Sequence, residues 1–113
     1  MTDRELMELA ARAAGLDVHR GEKWQSDMLF RAVPRPNSPL VANVEWNPLA
    51  DDGDALRLAV KLGLIVDAGA HRASDGMGSW SAQAGERDGY AATRRAIVRA
   101  AALAGTAPGA TGG

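Results

Sequence analysis

The residues in this chain with the means to do chemistry are few and scattered. His19 and His71 are its only histidines. Imidazole titrates near neutrality, so either could act as a general base if Glu22, Asp67 or Asp75 oriented it. Nothing in the spacing brings the two histidines together. His19 falls on the polar side of a candidate strand and His71 at the approach to a Gly-rich loop, so a solvated or structural role accounts for both. The run Asp51-Asp52-Gly53-Asp54 offers hard oxygen ligands to a divalent cation. It lacks the spacing of a calcium loop, whose closing glutamate would have to stand in apolar helix. Helix capping explains the same carboxylates, so no metal is expected. Gly76-Met77-Gly78-Ser79 has glycines suited to a phosphate loop, but no Gly-Lys-Ser completes it, and Ser79 is not in a nucleophile elbow. No cofactor is expected and no catalytic residue is assigned.

Arginine and tryptophan supply better candidates for binding. Arg94, Arg95 and Arg99 cluster on the C-terminal helix and offer forked donors to a phosphate or an acidic surface. The plainer account is a charged, solvated helix face. Trp46 reads as core beside a turn. Trp24 and Trp80 read as exposed anchors, because Trp and Arg dominate interface hot spots. With Arg31 and Arg35 they complete the expected partner-binding set: Trp24, Arg31, Arg35 and Trp80.

Composition bounds what can carry these groups. A chain of 113 residues, 46% hydrophobic but only 4% aromatic, fits one domain with a core of aliphatic side chains and alanine. The formal net charge of -1 gives no field favouring anionic membrane, and direct nucleic-acid binding is not expected. The lack of cysteine excludes disulfides, thiolate catalysis and cysteine-held zinc. The N-terminus lacks the pattern of a signal peptide, and no apolar run approaches the ~18 residues that suggest a membrane span. These features point to a cytoplasmic protein.

The stretch from Trp46 to Leu62 organises the rest. Asn47-Pro48 marks a turn, Asp51, Asp52 and Asp54 favour a helix start, and Gly63 fits its left-handed end. Leu56 and Val60, with Ala59 and Leu62, are predicted to turn that helix toward a sheet. Before it, Thr2 and Glu5 form a T-x-x-E capping box for a helix ending at Gly15, with Leu6, Leu9, Ala10 and Ala13 as its apolar stripe. Strands are predicted at Leu16–Arg20, Met28–Val33 and Leu40–Trp46, with a proline-rich turn before the last. After the Asp-rich helix come a strand at Leu64–Ala68, a short strand at Ser79–Ala84 around Trp80, and a helix from about Tyr90 to Ala104. The order α-β-β-β-α-β-(β)-α predicts an α+β domain over residues 1–105, a small antiparallel sheet with helices packed on it. Residues 106–113 are predicted to form a disordered tail.

The segments Trp46–Gly63 (WNPLADDGDALRLAVKLG) and Ala91–Gly105 (AATRRAIVRAAALAG), with the opening TDRELMELAARAAG, resemble the small phage and prophage proteins grouped as phage ABA-sandwich-like. These segments make up about half the chain. The resemblance implies an α-β-α sandwich, a phage origin and residence in the bacterial host's cytoplasm, and it carries over no catalytic residue. It also implies action by binding: the leading expectation is an anti-CRISPR-like inhibitor whose partner is a host protein or ribonucleoprotein. The alternative is a small-molecule binder, such as a nucleotide sponge using the Gly-rich loop and arginines. A small hydrolase built on the two histidines has the weakest support.

Overall fold

Thr2 opens the first helix, α1 (Asp3–Ala13), by accepting the Glu5 N–H at 3.1 Å, while its hydroxyl donates to the Glu5 carboxylate. The capping box is therefore present, and it satisfies a donor that the first turn would leave orphaned. At the other end Gly15 takes a left-handed φ of 69°, and Leu16 N–H reaches back to the Ala11 carbonyl at 2.9 Å. Gly63 does the same after the second helix, α2 (Asp52–Leu62), with Leu64 N–H bonded to Ala59. Both ends are the glycine-terminated kind that the sequence signals. The computed structural model describes residues 2–74, 81–83 and 88–106.

Between the two helices lie β1 (His19–Arg20), a single 3-10 turn at Lys23–Gln25, β2 (Leu29–Pro34) and β3 (Val41–Glu45). They form one antiparallel sheet in the order β1-β2-β3, with Phe30 opposite both His19 and Glu45, and Arg31 opposite Val44. The long strand expected at Leu16–Arg20 is paired only over its last two residues. Leu16 and Val18 instead pack against the core as they leave α1. After α2 come β4 (Ile65–Asp67), β5 (Arg72–Ser74) and β6 (Ser81–Gln83), a second antiparallel sheet. The class is α+β in the order expected, with β5 added and the strands divided over two sheets.

The final helix, α3 (Gly89–Thr106), is in contact with both other helices and with the second sheet. Its Ala92, Ala96, Ile97, Val98, Ala100, Ala101 and Ala102 are all buried. A helix apolar around most of its circumference belongs inside, and here it is the hub of the fold. It continues to Thr106, one residue past the expected domain end; the tail expected beyond lies outside the described residues. α1 runs beside α3 in the same direction. Asp3 meets Arg95 near one end, and at the other a methyl on Gly105 would come within 3.1 Å of Ala13 Cβ and of the Leu9 carbonyl oxygen. The stripe of α1 is accordingly centred on Met7, Ala10, Ala11 and Ala14, with Leu6 at its margin.

The predicted register of α2 is corrected by the structure. Leu56 is 62% exposed and Val60 more so, whereas Ala55, Leu58 and Ala59 are buried. The helix packs on α3 rather than on a sheet, and its two alanines let the backbones come close. Leu56 and Val60 are left on the outer side.

Candidate functional site

The turn ahead of α2 is held by its own polar side chains. Asn47 Oδ1 accepts from the N–H groups of Leu49 and Ala50, both at 3.2 Å, while Trp46 and Pro48 are buried beside it. Asp51 is the N-cap and accepts the Asp54 N–H at 2.7 Å. Asp54 has a different duty. Only 7% exposed, it accepts the Asn47 N–H at 3.0 Å and pairs with Arg57 at 2.8 Å. The acidic run thus shapes a turn and a helix start. Among the described residues no group of three or more His, Cys, Asp or Glu is placed to hold a metal ion.

The C-terminal arginines are also drawn inward. Arg94 donates Nε to the Leu49 carbonyl at 2.8 Å and pairs with Asp52 at 2.7 Å. Arg95 grips Asp3 through two parallel bonds of 3.1 Å, and Arg99 adds its charge to the field at Asp3. These ties hold α2 and α1 to α3. A nucleotide phosphate would have to displace a carboxylate from either Arg94 or Arg95.

The Arg95 hydrogen bond holds the Asp3 carboxyl below the usual carboxylate range, against a smaller opposing effect of burial and helped by the Arg95 and Arg99 charges. Folding lowers this pKa, so the contribution to stability is complete above the ordinary carboxylate value and disappears as pH falls through the depressed one. Asp3 is well exposed, and its pair should contribute only a few tenths of a kcal/mol. Melts of Asp3→Asn and the parent chain should differ at neutral pH and converge in strong acid. Curves that stay parallel down to the acid limit would show that Asp3 is not the titrating group.

The expected partner-binding residues lie along the first sheet. Trp24, on the 3-10 turn between β1 and β2, is 87% exposed. Arg31 stands mid-strand, and Arg35 in the turn beyond β2, where its N–H bonds the Leu40 carbonyl. The seven residue steps of extended chain from Met28 to Arg35 span about 23 Å, so these side chains are strung out rather than clustered. Neither Arg31 nor Arg35 has an ion pair among the described residues. Leu29 and Trp46 anchor the base of the β2–β3 hairpin in the core. Further out, Leu40, Val41 and Val44 are exposed. Trp80 and the Gly76–Ser79 loop lie outside the described residues. The histidines sit on different sheets: His19 stacks on Phe30 with ring centres 6.2 Å apart, and His71 stands in the β4–β5 turn with φ of 52°.

A feature not read from the sequence is a groove of about 620 Å³ between α2, β4 and α3. Its walls include Leu56, Val66, His71, Tyr90 and Ile97, with Asp88 near the start of α3. The signal for it was present. α2 carries Leu56 and Val60 in addition to a complete apolar face of Ala55, Leu58, Ala59 and Leu62, which is one apolar stripe more than its packing on α3 uses.

Fold and site together define a small α+β domain with exposed apolar side chains on the first sheet and an apolar groove between α2, β4 and α3. Comparison with known protein families, with characterised proteins and with solved structures finds no match to the chain.

Proposed function

We propose that this chain is a non-catalytic binding protein that attaches to a protein component of a bacterial host's defence machinery and inhibits it, an anti-CRISPR-like role. The observation that carries this reading is the surface of the first sheet. Trp24 and Leu40 are exposed beside it, Val44 is exposed on the face it shares with Arg31 and Val41 on the opposite face, and β3 is an edge strand of five residues in its sheet. The free side of an edge strand offers unpaired N–H and C=O groups to another chain. Arg31 and Arg35, with no carboxylate partner among the described residues, suit a partner surface rich in Asp and Glu. The spread from Trp24 to Arg35 fits one side of a standard interface of about 800 Å². The resemblance to phage ABA-sandwich-like proteins supports the phage setting. Trp80, from the same expected set, remains part of the proposal.

The test is phage plating on bacteria that carry an active CRISPR–Cas or other defence system and express this chain. Restored plating is expected for the parent. Trp24→Ala and Arg31→Glu should each weaken binding to the purified target by about tenfold, roughly 1.4 kcal/mol, with an unchanged melt. Full inhibition by both variants would remove the first sheet as the binding surface. Failure of the parent to restore plating against a panel of defence systems would remove the inhibitor role.

A further inference from the structure

We propose that the groove between α2, β4 and α3 binds a small organic molecule with an apolar body and one ammonium group. This site uses different elements from the first sheet and stands independently of the host-binding role. Its volume, about 620 Å³, falls within the range of roughly 300–1,000 Å³ typical of small-molecule sites. Leu56 of α2, Val66 of β4 and Ile97 of α3 supply aliphatic walls, and Tyr90, 73% exposed, sets an aromatic ring at the mouth. The β4–β5 turn and the start of α3 come close beside it: a methyl on Gly89 would lie 3.3 Å from His71 Nε2. The result is a concave site of mostly apolar surface with polar groups gathered near one helix start, the usual composition of a ligand pocket.

The charges select the ligand's head group. Among the described residues five titratable groups line the groove: Asp52, His71, Asp88, Tyr90 and Arg94. Arg94 is occupied by Asp52 and by the Leu49 carbonyl, so the two charges neutralise one another. Asp88 remains. One of its oxygens accepts the Tyr90 N–H at 3.0 Å, and the other has no partner among the described residues. The partial positive charge at the start of α3 is answered by this same carboxylate. An anionic head would therefore face the Asp88 carboxylate, while Arg94, the one lining arginine among the described residues, is already held by Asp52 and the Leu49 carbonyl. An ammonium would pair with the second oxygen of Asp88 and lie near the face of Tyr90, where a ring quadrupole attracts cations.

Three probes of one shape separate the possibilities: naphthylmethylammonium, naphthylmethanol and naphthoate. Each is titrated into the full chain and followed by equilibrium dialysis and by methyl NMR of Leu56, Val66 and Ile97. The ammonium should bind about tenfold or more tighter than the carboxylate, with the alcohol between them, and all three methyl groups should shift. Asp88→Asn keeps a competent helix cap, since Asn caps as well as Asp. It should bring the ammonium down to the affinity of the alcohol and leave the alcohol unchanged. Leu56→Arg, at an exposed position that spares the fold, should abolish binding of the ammonium. The proposal is overturned if naphthoate binds as tightly as the ammonium. It is equally overturned if Asp88→Asn leaves their ratio unchanged, or if no probe shifts the three methyls at millimolar concentration. A dimer that Leu56→Arg dissociates, with no probe bound, would assign the groove to a second copy instead.

Discussion

Leu58→Ala is expected to lower stability by about 2–5 kcal/mol, read as a shift in the midpoint of denaturant unfolding at unchanged slope. Leu58 is 1% exposed and belongs to the core cluster that joins α1, α2 and α3. Removing its isobutyl group loses the transfer energy of the buried atoms and leaves a cavity, which packed helices on a backbone rich in alanine cannot easily collapse. Two residues earlier on the same helix, Leu56→Ala should change stability by no more than about 0.5 kcal/mol, because that side chain stands largely in water. The two variants share a helix, a residue type and a helix propensity change, so only the direction of the side chain separates them. Equal losses, or a larger loss at Leu56, would mean that α2 is rotated about its axis so that Leu56 faces α3.

That pair also marks where the sequence was legible. The starts and stops of α1 and α2 are local events: Thr2, Asp51, Gly15 and Gly63 act on backbone groups within a few residues, and their chemistry is visible without knowledge of the fold. The α+β class and the β2–β3 hairpin followed from element order and the short proline-rich link. The direction of α2 did not. Its apolar residues cover two sides, and Ala55 and Ala59 look too small to compete with Leu56 and Val60 until α3 is seen to need a close neighbour. Alanine was the recurrent difficulty. Ala92, Ala96, Ala100 and Ala101 are fully buried, yet a hydrophobic pattern weights them least. The arginines misled for another reason. Arg95 finds Asp3 92 positions away, and Arg94 finds Asp52 42 positions away. A partner at that separation cannot be read from spacing, so the cluster looked available to an outside anion. The groove was legible only in the surplus apolar side chains of α2, since its walls come from three elements far apart in the chain.

The acidic turn gives the second large effect. Asp54→Ala should cost about 1.5–3 kcal/mol, more than the roughly 0.5–2 kcal/mol of a lost cap at Asp51→Ala. From the sequence Asp54 is one more cap carboxylate. In the structure it is the third residue of α2 and turns back toward the chain that precedes the helix, where Oδ2 accepts the Asn47 N–H at 3.0 Å and Oδ1 binds Arg57. Removing the carboxylate leaves the Asn47 N–H unsatisfied next to buried Trp46 and Pro48, and the cost of a stranded donor exceeds the net gain of an ordinary hydrogen bond. Arg57 is the lesser partner. Its side chain is mostly exposed and also reaches Asp51 at 3.8 Å, so Arg57→Ala should cost no more than about 1 kcal/mol. Asp54→Asn keeps an acceptor for the Asn47 N–H and should fall between the two. The ranking to be measured is therefore Asp54→Ala, then Asp54→Asn, then Arg57→Ala, each from denaturant midpoints. If Asp54→Ala costs no more than Arg57→Ala, the carboxylate serves the surface ion pair alone and the tie to the Asn47 turn contributes nothing.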